Sequence, residues 1–265
     1  MAVLFCKDID TDYKNHYNIF INTDKRCRMA VYKIADLYID IKNRYKYVDV
    51  LCKDYLSADQ TVKPDFCVSA TEKDIKNDKE LFPEATDAYL EAMSIYREIS
   101  RNILNYNGFI MHASVIEMDG KAFAFAARSG TGKSTHSRLW LDVFGERVRI
   151  INGDKPLLRF IDNKLYVYGT PWCGKEGYNI NTRAVLDSVC FIERAKTNSI
   201  EKLDKNSAIK KIFDQLLLPE TQTQAEKFLE MLDILISNVK FFTLRCNMDK
   251  DAAVVAYNGM TNGGE

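Results

Sequence analysis

The first 75 residues alternate apolar and polar positions in short runs. Ala35-Asp36-Leu37-Tyr38-Ile39-Asp40-Ile41 has the period of two expected of a strand with one buried face. Tyr45–Leu51 and Phe66–Ala70 read as further strands. Between about Asp87 and Tyr106 the period changes. Tyr89, Met93, Tyr96, Ile99, Ile103 and Leu104 recur near helical spacing, which predicts an amphipathic helix.

In the middle of the chain, Ser114–Met118 and Ala122–Ala126 are apolar runs on either side of Asp119-Gly120, a strong hairpin signal. A second hairpin is expected at Asp162-Asn163, joining Pro156–Ile161 to Leu165–Tyr168. Ser134–Phe144 reads as a helix, and others are expected near 206–218, 223–238 and 249–258. Val148–Ile151, Phe191-Ile192 and Phe241–Leu244 read as strands. Hairpins interleaved with helices predict an α/β fold with a mixed sheet, not an all-parallel one.

Composition narrows the function classes. Apolar residues make up 46% of the 265, enough for a sizeable core, and the 37 Lys+Arg balance the 37 Asp+Glu. Nucleic-acid binders carry a basic excess or stripe, and neither is present, so no nucleic-acid partner is expected. No apolar run approaches the roughly 20 residues that span a bilayer, so no membrane partner is expected. Met1–Asp12 carries Asp8, Asp10 and Asp12 and lacks the pattern of a signal peptide, which makes the cytoplasm the expected location. The seven cysteines form no C-x-x-C pair, which argues against a disulfide framework and a tetrahedral zinc site. Most of them read as small buried hydrophobes. The tail Asn262-Gly263-Gly264-Glu265 reads as frayed.

Ala127-Arg128-Ser129-Gly130-Thr131-Gly132-Lys133-Ser134 fits the phosphate-loop pattern G-x-x-x-x-G-K-[ST] except at Ala127. An apolar strand precedes it and a helix follows. Glycines at 130 and 132 permit torsions that let successive N–H groups cradle an anion. The positive end of the helix falls on the same spot. Lys133 is placed to reach the β- and γ-phosphates, and Ser134 to offer its hydroxyl to Mg²⁺. Arg128, Ser129, Gly130, Thr131, Gly132, Lys133, Ser134 and Thr135 are therefore the expected nucleotide-binding residues, with ATP and Mg²⁺ as cofactors. A carboxylate must complement such a loop. Asp154 stands at a turn-like cluster, Asn152-Gly153-Asp154-Lys155-Pro156, just past the Val148–Ile151 strand.

These motifs carry a resemblance. His112–Met118, the following hairpin, Ser129–Ser134 and Asn152-Gly153-Asp154 resemble the catalytic core of HPr kinase/phosphorylase, over roughly residues 105–180. That family has the phosphoenolpyruvate carboxykinase-like P-loop fold. The sequence is more similar still to bacterial HPr kinase-like proteins with S-G-T-G-K-S-T-H and G-T-P-W-x-G-K, a set that includes lasso-peptide serine kinases. Its second motif is Gly169-Thr170-Pro171-Trp172-Cys173-Gly174-Lys175, and the likeness extends to Arg245–Asp249. The resemblance implies a P-loop kinase core over 106–265 and an N-terminal β-rich and helical region over 1–105 that shapes acceptor choice. Two departures stand out. HPr kinases carry two adjacent aspartates where this chain has Gly153-Asp154, and a glutamate where it has Thr135.

The expected catalytic residues are Asp154, Lys133, His112 and Lys175, with Ser134 and Asp154 as metal ligands. His112 matches a family histidine close to the catalytic acids, and Lys175 would neutralise charge on the transferring group. Arg159 and Arg194 are weaker candidates, and His136 reads as a surface helical residue. The expected activity is transfer of the γ-phosphoryl group of ATP to a hydroxyl, either Ser/Thr of a peptide or a small alcohol. An oligomer is compatible with the resemblance. The alternatives are a nucleotide-binding regulatory module without turnover, motivated by the missing second aspartate, and an accessory protein with water as acceptor.

Overall fold

A computed structural model describes residues 28–262. The readings made for Met1–Asp12, for Cys6 and Cys27, and for the last three residues of the tail lie outside the described residues. The chain divides into two compact units between Leu104 and Asn105.

In the first unit, β1 (Arg28–Ile34) and β2 (Leu37–Asn43) form an antiparallel hairpin. The alternating run begins two residues later than the sequence suggests. Ala35 and Asp36 have φ of 54° and 60°, the left-handed pair of a tight hairpin turn whose twist matches its strands. β3 (Phe66–Ser69) adds to β2 in parallel. Among the described residues three α-helices accompany this sheet: α1 (Lys46–Leu51), α2 (Glu72–Leu81) and α3 (Asp87–Asn102). The unit is thus α/β in its described part.

Tyr45–Leu51 folds as a helix, not as the expected strand. The buried Glu91 carboxylate accepts the N–H groups of Arg44 and Tyr45 at 2.8 and 2.9 Å, while Asn43 Nδ2 donates to Tyr45 O at 2.9 Å. Those bonds take the backbone groups that a strand would present to a neighbour. The α2 helix, which the apolar pattern misses, starts at a capping box. Thr71 Oγ1 accepts from Asp74 N at 3.1 Å, and Asp74 accepts from Thr71 N at 2.9 Å.

The second unit is built on a nine-stranded mixed sheet. Its strands are β4 (Gly108–Ile110), β5 (Ser114–Met118), β6 (Lys121–Ala126), β7 (Val148–Asn152), β8 (Leu157–Ile161), β9 (Lys164–Tyr168), β10 (Arg183–Arg194), β11 (Ser199–Lys202) and β12 (Lys240–Cys246). The order β4-β8-β9-β10-β6-β5-β7 carries β12 as a further partner of β10, and β11 pairs with β12. The twelve-residue β10 is the hub. One edge carries β6 in parallel; the other carries β9 antiparallel at Arg183–Val185 and β12 in parallel at Ser188–Arg194. Both expected hairpins form, with positive φ at Asp119, Gly120, Asp162 and Asn163.

The helices of this unit are α4 (Lys133–Phe144), α5 (Lys205–Ile212), α6 (Gln222–Asn238) and α7 (Asp251–Asn262). Trp140 of α4 is fully buried, with ring centroids 5.6 Å from Phe123, 5.5 Å from Phe125 and 5.9 Å from Tyr257. That aromatic core fixes α4 on the sheet directly behind the glycine-rich loop. The helix expected at 206–218 stops at Ile212 and gives way to a 3₁₀ turn, Phe213–Gln215. The reason is tertiary: Leu216 bridges to Met111, and Gln215 O accepts from His112 N at 2.7 Å.

Candidate functional site

The loop between β6 and α4 has its left-handed residues at Gly130 (φ 71°) and Gly132 (φ 126°), not at Ala127. A Cβ at either glycine would meet open space, so torsion and not crowding requires glycine there. An alanine at 127 is compatible with this loop because the strained torsions lie elsewhere. Thr131 N donates to Arg128 O at 3.1 Å, closing the turn. Gly132 is the N-cap of α4 and makes no side-chain cap bond, so the N–H groups of the first helical turn face the loop's mouth.

Lys133 is buried, and its Nζ donates to Ala127 O at 3.2 Å, folding the side chain back across its own loop. The same Nζ lies 3.0 Å from His112 Nε2. His112 Nε2 in turn lies 3.1 Å from Asp154 Oδ1. A single ring nitrogen either accepts from the ammonium or donates to the carboxylate, so the two neighbours compete for it. Backbone pairing brings this row together. Met111 N donates to Pro156 O at 3.2 Å and Ala113 N to Asp154 O at 2.9 Å, which runs the His112 segment alongside the Asp154 turn. Ser114 Oγ and Ser137 Oγ meet at 2.7 Å, and Ser137 Oγ donates to Lys133 O at 3.1 Å, tying β5 to the start of α4.

Asn152 organises the acid. Its Oδ1 accepts from Asp154 N at 2.9 Å and Lys155 N at 2.8 Å, and its Nδ2 donates to Thr170 O at 3.0 Å. Lys155 is buried and pairs through Nζ with Asp154 Oδ2. Burial works to raise the Asp154 pKa, but the Lys155 ammonium and the His112 contact outweigh it and hold the carboxyl well below the usual carboxylate range. The segment after β9 packs on this acid. A Cβ at Gly174 would come 3.0 Å from Asp154 Cβ. Cys173 lies beside it, and burial, then the Asp154 charge, push its thiol up to about 11, so it stays protonated and a weak nucleophile.

The structure thus brings Lys133, His112 and Asp154 together, with Ser134 half-buried on the first turn of α4. It leaves Arg128, Ser129, Gly130, Thr135 and Lys175 exposed and Thr131 half-buried. Trp172 is part of the core. Arg159 has a structural contact, donating from Nε to Tyr106 O at 3.1 Å. Sequence reasoning did not weigh Lys155, although it stands inside the quoted Asn-Gly-Asp-Lys cluster, nor the Asn152–Thr170 bond. Among the described cysteines, Cys52, Cys190 and Cys246 are buried, while Cys67 is exposed.

The surface reading of His136 is corrected. It is 2% exposed, its ring packs edge-on at 4.6 Å from Phe125, and its Nε2 accepts from Trp140 Nε1 at 2.9 Å. Burial lowers its pKa from 6.5 to about 3. The unfolded chain takes up this proton below pH 6.5 and the folded chain does not, so stability falls with pH from about 6.5 down to about 3. The slope from this residue alone is about 1.4 kcal/mol per pH unit. Urea titrations of wild type and His136→Phe at pH 7 and pH 5 are expected to show about 2 kcal/mol less pH dependence in the variant.

No family model matches the chain, and no curated protein matches it. Among solved structures, the chain is similar to the HPr(Ser) kinase/phosphatase from Coxiella burnetii. The identity is 9% over 59% of this chain and 99% of that one, with a TM-score of 0.36. A likeness that distant says nothing about chemistry, which has to come from the residues.

Proposed function

We propose that this chain is an ATP-dependent kinase that transfers the γ-phosphoryl group to a hydroxyl. The observation that carries this reading is the row from Lys133 through His112 to Asp154, which begins at an uncapped helix N-terminus behind a Gly130/Gly132 loop. Open main-chain N–H groups and a lysine at that position suit a triphosphate. An ionised carboxylate across from them suits the reacting end.

Mg²⁺ fits the donor set. Among the described residues no group of three or more His, Cys, Asp or Glu side chains converges to hold a metal, but Mg²⁺ commonly takes one or two protein oxygens and completes its shell with phosphate and water. Ser134 and Asp154 would hold it, and it would supply charge compensation to the phosphates. In the reaction the acceptor oxygen attacks the γ-phosphorus, the bond to the β–γ bridging oxygen breaks to release ADP, and the hydroxyl proton passes to solvent water. Lys133 moves from Ala127 O onto the phosphates. Asp154, held far below its ordinary range, is a weak Brønsted base, which favours orienting the hydroxyl and holding the metal over keeping the proton. Lys175 and Arg128 are exposed, and their cationic side chains suit an incoming charged group. The acceptor is a Ser/Thr side chain of a peptide or a small alcohol.

Incubation with γ-labelled ATP, Mg²⁺ and a pool of Ser/Thr peptides and small alcohols tests the reading. Label is expected to move to an acceptor with wild type and to fall about a hundredfold or more with Lys133→Ala. Equal transfer by both proteins, or release of phosphate to water alone, removes it.

A further inference from the structure

We infer that Arg194 is a positioning residue that sets the direction of the phosphate-loop amides and thereby the affinity for the nucleotide, an inference that rests on the function proposed above. Arg194 is the last residue of β10. Because β10 runs parallel to β6 and Phe191 is in register with Ala126, the end of β10 lies beside the point where β6 gives way to the loop. From there Arg194 Nε donates to Thr131 O at 3.1 Å, and its terminal Nη2 donates to Gly130 O.

Two consecutive carbonyls therefore point at one guanidinium. The peptide unit is planar and none is cis among the described residues, so each N–H points opposite the carbonyl of its own unit. The carbonyls of Gly130 and Thr131 belong to the units that carry the N–H groups of Thr131 and Gly132. Both N–H groups must point away from Arg194. Thr131 N is spent on closing the turn to Arg128 O, and Gly132 N then joins the uncapped N–H groups of the first turn of α4. The neighbouring acid, Glu193, pairs with Lys211 and Arg245. Arg194 instead holds main-chain oxygens of a segment whose two glycines would otherwise leave it free to sample many torsions. Fixing such a loop in its binding geometry raises affinity by removing the ordering cost of binding. The fork matters: lysine keeps the charge but cannot present Nε and Nη2 to two acceptors in fixed geometry.

The test is the affinity of wild type, Arg194→Lys and Arg194→Ala for ATP and for inorganic tripolyphosphate, by calorimetry, with steady-state kinetics and melting curves alongside. Both variants are expected to bind both ligands about ten- to hundredfold more weakly. KM for ATP should rise in proportion, kcat at saturating ATP should stay near wild type, and added guanidinium should restore part of the affinity to Arg194→Ala. Should the alanine variant not fold, the lysine variant carries the comparison. Wild-type affinity in Arg194→Lys overturns the inference, because charge alone would then suffice. A fall in kcat without a change in affinity overturns it as well. Wild type that binds neither ATP nor tripolyphosphate removes the proposed function and this inference together, whereas tight wild-type binding with unaffected variants removes the inference alone.

Discussion

Asp154→Asn is expected to lower kcat for phosphoryl transfer by about a hundred- to a thousandfold, the range found when one preorganised electrostatic contact to the reacting groups is lost. Asparagine keeps the shape of the side chain but not its charge. In the wild type that charge faces Lys155 on Oδ2 and His112 on Oδ1, and these partners overcome the burial penalty and keep the carboxylate ionised. The sign of the pH effect follows. A carboxyl whose folded pKa is depressed contributes stability that is present above its unfolded value, near 4, and lost as pH falls toward the folded value. Asp154 therefore carries its charge throughout the neutral and mildly acidic range. The transfer rate of the wild-type protein is expected to show no step from Asp154 between about pH 5 and pH 8. An acidic limb centred near pH 5 that disappears in the asparagine variant would contradict this account, as would an asparagine variant with the wild-type rate.

What could be seen in the sequence was local. The glycine-rich loop and its helix are legible because eight consecutive residues encode them. The hairpins at Asp119-Gly120 and Asp162-Asn163 are legible because left-handed torsions demand those residue types. The parts that were missed are made by distant partners. The α1 helix replaces a strand because Glu91, 46 and 47 residues downstream, captures the backbone of Tyr45 and Arg44. His136 is buried because α7 and the sheet supply the aromatic cover around Trp140. Arg194 meets the loop across 64 residues of sequence, through a parallel register that no local pattern announces. Lys155 takes its place at Asp154 only because Asn152 and Thr170 hold its backbone on both sides.

Gly153 shows how such contacts limit what a resemblance can be taken to mean. The HPr kinases that the sequence resembles carry two adjacent aspartates where this chain has Gly153-Asp154, so Gly153→Asp would restore that pair. The structure predicts the opposite. A Cβ at residue 153 would come 2.7 Å from Cys173 O and 3.5 Å from Tyr178 Cβ. The first of these is a main-chain atom in a segment held at several points. Gly153 N donates to Tyr178 O at 2.8 Å, Ile180 N to Ile151 O at 3.0 Å, Asn179 Nδ2 to Thr170 O at 3.1 Å, and Thr170 Oγ1 to Lys155 O at 2.7 Å. Gly169 is pinned likewise, since a Cβ there would meet Ile180 O at 2.0 Å. The segment cannot yield at Cys173 without disturbing Gly174, which packs on Asp154 itself. Overpacking of this kind costs about 1–3 kcal/mol even for alanine. Gly153→Ala is therefore expected to melt several degrees below wild type, at roughly 2–4 °C per kcal/mol for a chain of this size. Gly153→Asp should melt lower still, because a second carboxylate would be forced against a carbonyl oxygen and a neighbouring acid. Transfer activity should fall in both variants through displacement of Asp154, more in the aspartate variant, while ATP affinity at the distant side of the loop changes less. Melting curves and labelled-ATP kinetics on the two proteins decide it. An aspartate variant that is as stable as wild type and faster would mean that the chain can open a place for the second acid, and that the close packing of Cys173 does not define this site as a single-carboxylate one.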